Sequence, residues 1–144
     1  MIFLDASAAA KRYWHERGSD RIKGLFHGTV PLCSVVLLGC ELTSALNRRH
    51  REGDLTVAER HAARELVAQD LHRLRLVPVD EELIGASIRL LDAHPLKTLD
   101  SLYLAGALNV QRVWGSPVLF VSADRQLLRA AETEGLKVLD PESL

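Results

Sequence analysis

The 144-residue chain is the length of one domain, with 47% hydrophobic and 26% charged residues, so it is too apolar for disorder and long enough to enclose a core. A net charge of −1 at pH 7 argues against gripping nucleic acid by bulk electrostatics, and any such partner must be met by a local patch. No apolar run approaches the roughly 20 residues of a membrane span, and no basic region leads into a signal-peptide core, which points to a cytoplasmic protein.

Short apolar runs alternate with helix-like segments from end to end. That pattern predicts a single α/β domain over residues 1–144, with three layers and a central parallel sheet of four to five strands flanked by helices. The first strand is Ile2–Leu4, followed by a helix over 6–16 and a short one from Ser19 or Asp20 to Gly28. Val30–Cys33 reads as the second strand, with Ser34 as N-cap of a helix that runs to Arg51 and stops at Gly53. Thr56-x-x-Glu59 is a capping box opening a helix to Arg73, and Leu76–Val79 is the third strand. Asp80 starts a helix that ends before His94-Pro95, because the residue before proline disfavours helical geometry. "LKTLDSLYLAGALNVQ" forms the next helix, with Thr98 available as its cap. Val118–Val121, a helix over "ADRQLLRAAETEG" closed by Gly135, and the strand Lys137–Leu139 complete the chain. Cys33 and Cys40 lie in apolar surroundings and read as reduced, buried, structural thiols.

Four carboxylates stand out. Asp5 and Asp124 each follow a strand and precede a helix, where an N-cap alone explains them. Asp100 shares a helix face with Tyr103, Leu104 and Ala107, and Glu41 lies inside the apolar "VVLLGCELTSAL", so both need partners that capping does not supply. A Glu41–Arg48 pair along one helix is the structural explanation for the latter. In an open parallel sheet, ligands bind outside the C-terminal ends of the strands, where strand order reverses. If the first and fourth strands are neighbours, Asp5 and Asp124 meet there, and Glu41 and Asp100 sit in early turns of helices starting at the same edge. Such acids cannot all stay ionised without compensating positive charge. Oxygen-only ligands select Mg²⁺ or Mn²⁺, which suits phosphodiester hydrolysis by an activated water.

With these motifs in place, the chain resembles the PIN-domain nucleases, and among them the small stand-alone toxins of VapC type. The resemblance rests on "FLDASAAAKRY" with Asp5, "CELTSALNRR" with Glu41, "LKTLDSLYLAGAL" with Asp100, and "LFVSADRQLLRAAETEGLKVLDP" with Ser122 and Asp124. It implies a metal-dependent endoribonuclease in which these four acids surround Mg²⁺ or Mn²⁺ and the Ser122 hydroxyl supports the site. It also implies a homodimer and an antitoxin partner. RNA grip is then expected from Lys11, Arg48, Arg49 and Arg125, of which two belong to the cationic "NRRHR" at 47–51.

Other residues admit two readings. Ser7 can bond a metal-bound water or simply occupy a first helical turn. Lys11 reads as a surface lysine within reach of a phosphate. His50, His61 and His72 recur every 11 residues but lack ligands at i+3 or i+4, so they read as solvated or dimer-facing. Trp14 and Trp114 can stack on bases, with burial or a dimer contact the simpler reading. Two further functions compete with the nuclease: a non-catalytic PIN-like module that grips RNA or a protein, and a phosphatase using Asp5 as nucleophile. The phosphatase lacks its helpful lysine, since none occurs between Lys97 and Lys137.

Overall fold

Ile2–Leu4 form β1, and all three side chains are buried because helices leave neither face of the central strand to solvent. In the computed structural model, which describes residues 1–143, β1 is followed by α1 (Ala6–Ala9), a 3-10 turn (Ala10–Arg12), α2 (Ser19–His27), β2 (Leu32–Val35) and α3 (Leu38–Arg51). The chain continues through α4 (Val57–Arg73), β3 (Arg75–Val77), α5 (Glu81–Ala93), α6 (Thr98–Trp114), β4 (Leu119–Val121), α7 (Arg125–Thr133) and β5 (Lys137–Leu139). The five strands form one parallel sheet in the order β3-β2-β1-β4-β5. Strand order therefore reverses between β1 and β4, whose C-terminal ends lie side by side. The α/β architecture expected from the alternation of patterns is the one observed.

Local chemistry explains where boundaries differ from expectation. Pro31 has no N–H to donate, although its carbonyl accepts from Ile2 N at 3.0 Å, so the β2 ladder begins at Leu32 rather than Val30. Ser34 is no helix cap. It lies fully buried inside β2, and its hydroxyl donates to Leu4 O at 2.7 Å, which carries the strand two residues further and delays α3 to Leu38. Thr98 is likewise the first residue of α6 rather than its cap, and Lys97 precedes it without a side-chain bond. The helix expected over 6–16 ends at Arg12. Asp70 of α4, 1% exposed, accepts from Arg12 Nε (3.0 Å) and Tyr13 OH (3.1 Å), and Arg12 also lies over the Phe26 ring; these contacts draw the chain away from the helical path. Cys33 is buried as expected, whereas Cys40 is exposed, since it points outward from the first turn of α3.

β3 spans Arg75–Val77 rather than Leu76–Val79, β4 begins at Leu119 rather than Val118, and α7 covers Arg125–Thr133 of the expected segment, whereas several end signals agree. The Thr56–Glu59 capping box is complete in both directions, Asp80 caps α5, and Gly53 and Gly135 end their helices at positive φ, where a side chain would be strained. No helix among the described residues is long and apolar enough to cross a membrane.

Helix α6 settles against the sheet through one missing side chain. A Cβ at Gly106 would stand 2.9 Å from Phe3 Cζ and 3.0 Å from Val35 Cγ2, so glycine sets how closely the helix carrying Asp100 approaches β1 and β2. Gly106→Val should therefore lower unfolding free energy by about 2 kcal/mol in urea denaturation, the cost of overpacking a close-packed interior. An unchanged midpoint would mean that the contact is not tight.

Candidate active site

Asp5 leaves the end of β1 and caps α1, yet a cap does not account for its surroundings. Only 3% exposed, it accepts from Ala8 N (2.9 Å), from Ser122 Oγ (2.7 Å) and from Ser7 Oγ, which stands 2.8 and 2.9 Å from its two oxygens. Ser122 also accepts from Asp124 N at 3.0 Å, and Ser7 accepts from Ala123 N at 3.0 Å. The two hydroxyls thus tie the end of β1 to the loop after β4 and fix Asp5 relative to Asp124. Asp124 caps α7, accepting from Gln126 N (2.9 Å) and Leu127 N (3.1 Å) through one oxygen only.

Burial is the main force on these groups. It raises the Asp5 carboxyl to about 6 against the pull of its hydrogen bonds from Ala8, Ser122 and Ser7, and the Asp100 charge adds to the rise. Asp100, half-buried in the first turn of α6, is raised by desolvation and then by the charges of Asp124 and Glu41, with Lys97 opposing. Glu41, in the first turn of α3, keeps Oε2 buried without a hydrogen-bond partner. Beneath it the Tyr103 phenol is pushed up by burial and by Glu41, Asp5 and Asp100. Tyr103 and Glu41 lie close enough to feel one another but not in hydrogen-bond geometry, so the buried phenol oxygen is also left without a partner.

The four acids thus share one electrostatic neighbourhood, and none of them forms a salt bridge among the described residues. The Glu41–Arg48 pair offered as the structural explanation does not form: Arg48 is exposed, and Glu41 Oε2 stays unpaired. Among the described residues no three His, Cys, Asp or Glu side chains stand close enough to make a ready metal cage. Mg²⁺ does not require such a cage, because it keeps several waters and takes only one or two direct carboxylates. The donor set fits a hard cation. Among the described residues Asp5 has one lone pair left after three donors, Asp124 has one oxygen without a donor, Asp100 accepts no hydrogen bond, and Glu41 Oε2 has no hydrogen-bond partner.

A cleft of about 670 Å³ is lined by Glu41, by Ser7, Leu99 and Ala123, which neighbour the other three acids in sequence, and by Lys11, Trp14, Glu16 and Arg48. Lys11 is not the surface lysine its sequence context suggests. It is 2% exposed and clamped by Glu142 (2.6 Å) and Glu16 (3.0 Å); burial opposes its charge, but these two carboxylates prevail and hold its ammonium above the usual lysine range. Arg49 stacks its guanidinium 4.5 Å from the Trp14 ring centroid and does not line this cleft. Arg125 is exposed at the start of α7, next to Asp124. His61 pairs with Glu65 on the surface of α4, and Trp114 is half-exposed under Arg75, away from the cleft. Glu16, Glu142 and Tyr103 had no assigned role in the sequence. For Tyr103 the helical offset from Asp100 is the signal, whereas Glu142 reaches Lys11 across 131 residues and leaves none.

Residues 2–133 match the PIN domain. The chain belongs to the PIN domain family. PIN domains are typically metal-dependent nucleases and generally use divalent cations, in keeping with the unpaired carboxylate oxygens at the sheet edge. No curated protein matches this PIN domain in sequence. Among solved structures, a chain of a toxin–antitoxin complex from Klebsiella pneumoniae superposes with a TM-score of 0.64 at 11% identity, covering 100% of both chains, a likeness of fold.

Mg²⁺ or Mn²⁺ should stabilise this PIN domain by ~2.7 kcal/mol at a hundredfold excess over Kd, seen as a rise in Tm. Asp100→Asn should lose most of that rise while gaining stability in EDTA, because it removes one of the mutually repelling charges. No metal-dependent shift in the parent protein would contradict a cation site at these acids.

Proposed function

We propose that this PIN domain is a Mg²⁺- or Mn²⁺-dependent endoribonuclease of VapC type, acting in the cytoplasm as a homodimeric toxin that a cognate antitoxin inhibits. The observation that carries the nuclease reading is the set of unneutralised carboxylate oxygens on Asp5, Glu41, Asp100 and Asp124 where strand order reverses. The toxin reading is supported by the shared fold with a chain of a toxin–antitoxin complex.

Asp5, Asp100 and Asp124 would hold the cation, with Glu41 as the fourth acid. When bound, it supplies positive charge opposite the phosphate and a lowered pKa for water. The rest is done by the chain. Ser7 and Ser122 lock Asp5 so that it does not reorganise during the reaction. Glu41, whose side chain lines the cleft, accepts the proton of the attacking water. The water then displaces the ribose oxygen in line at phosphorus. Arg48 on the cleft wall and Arg125 beside Asp124 face the RNA backbone.

Asp5→Asn and Asp100→Asn should each reduce Mg²⁺-dependent cleavage of single-stranded RNA by at least about a hundredfold, more than the loss of an outer partner of a metal ligand costs. Circular dichroism checks that the fold survives. Cleavage that persists in both folded variants, or that proceeds equally in EDTA, would overturn the reading, and RNA binding without any cleavage by the parent protein would favour a non-catalytic module.

A further inference from the structure

The cleft is poorly equipped to hold RNA by charge. Lys11 is neutralised by Glu16 and Glu142, and Glu41 adds a further negative group, which leaves Arg48 as the one cation of its lining, among the described residues, that no carboxylate offsets. A further contact would add to the grip of Arg48 and Arg125, and Trp14 lines the cleft where it could be made.

Trp14 is the wall between two cavities. It lines the cleft that holds Ser7 and Glu41, and it also lines a second cavity with His15, Arg49 and Leu55. Arg49 belongs only to the second, and its guanidinium covers that face of the ring. The indole N–H is buried on the side of Glu16, whose carboxyl it helps to hold below the usual range although burial pulls the other way. One ring face is therefore backed by a cation, the indole N–H is buried beside Glu16, and the half-buried residue borders the cleft.

The platform is also rigid. The buried Ser19 hydroxyl donates to Trp14 O (3.0 Å) and accepts from Glu16 N (2.8 Å), closing the turn that carries the indole. Gly18 in that turn has φ 86°, and a Cβ there would meet Pro141 O at 2.8 Å, so the C-terminal segment locks the turn from outside.

We propose that Trp14 is a stacking platform for one unpaired RNA base, making the cleft selective for single-stranded RNA; the inference rests on the endoribonuclease reading and names how that site holds its substrate. Every base has a π-face, so such a contact tolerates sequence, and the Arg49 guanidinium behind the ring adds cation–π support. A paired base has no exposed face to offer, which is why duplex RNA would be excluded.

The test uses fluorescence. The chain has two tryptophans, and Trp114 lies in a different cavity with Cys33, Arg75 and Pro78, so Trp114→Phe leaves Trp14 as the sole reporter without touching the cleft. Asp100→Asn is added to keep the probes intact. A 12-nucleotide oligoadenylate should quench the emission saturably, whereas an abasic 12-mer of the same charge should quench at least about fivefold less. In the cleaving protein, Trp14→Ala should raise KM about tenfold with kcat within about twofold, and Trp14→Phe should restore most of the loss. Equal quenching by the abasic probe, or no quenching by an oligoadenylate whose labelled form binds by anisotropy, would overturn the proposal. Cleavage by Trp114→Phe alone is scored separately. Its absence counts against the nuclease reading, while cleavage without base-dependent quenching counts against stacking.

Discussion

A carboxylate at the end of a buried central strand has to be compensated, and most of this fold is arranged around how Asp5 is. Taking an ion out of water costs several kcal/mol unless hydrogen bonds and charge replace the lost hydration. Three donors are supplied, from Ala8 N, Ser7 and Ser122, and they do not suffice: the group remains raised to about 6. Among the described residues no cationic side chain pairs with Asp5, and Lys97 only partly offsets the charge at Asp100. Asp100, Asp124 and Glu41 make the deficit larger, and the buried Glu41 Oε2 and Tyr103 hydroxyl beside them are left without partners. Asp70 and Lys11 are by contrast paired with opposite charges, which marks the unmatched acids at this edge as the candidate functional site.

The sheet order is what concentrates the deficit. Placing β1 beside β4 sets Asp5 against Ser122 and Asp124, and the two serines convert that adjacency into a fixed geometry. Close approach of α6 at Gly106 brings in Asp100, and α3 brings in Glu41. The cleft then extends from the acids toward Trp14, so the same short segment after β1 supplies a candidate ligand, its positioning serine and the wall on which we place a base.

What the sequence made legible was whatever depends on near neighbours. β1 and β5 were readable to the residue, as were the Thr56 capping box, the Asp80 cap and the glycine stops at 53 and 135. The four acids could be singled out because strand-end and first-turn positions repeat a topological rule that places them at one sheet edge once β1 and β4 are adjacent, although among the described residues no three of them stand close enough to form a metal cage. Contacts between distant segments were not legible. Ser34 looked like a cap because its partner, Leu4 O, lies on another strand; Lys11 looked exposed because Glu142 is near the far end of the chain. The 6–16 helix looked continuous because Asp70, which interrupts it, lies on α4. That Arg49 covers the Trp14 ring was likewise not legible, since nothing local shows it.

The central claim is that a divalent cation neutralises the acids at the end of β1. It is tested most directly by a crystal structure of the protein in Mn²⁺, with data collected where manganese scatters anomalously. The account predicts an anomalous peak bound by Asp5 and at least one of Asp100 and Asp124, with Glu41 turned toward it. A structure in Mn²⁺ with no peak there, in which Lys97 or another cationic side chain closes onto the acids instead, would contradict it.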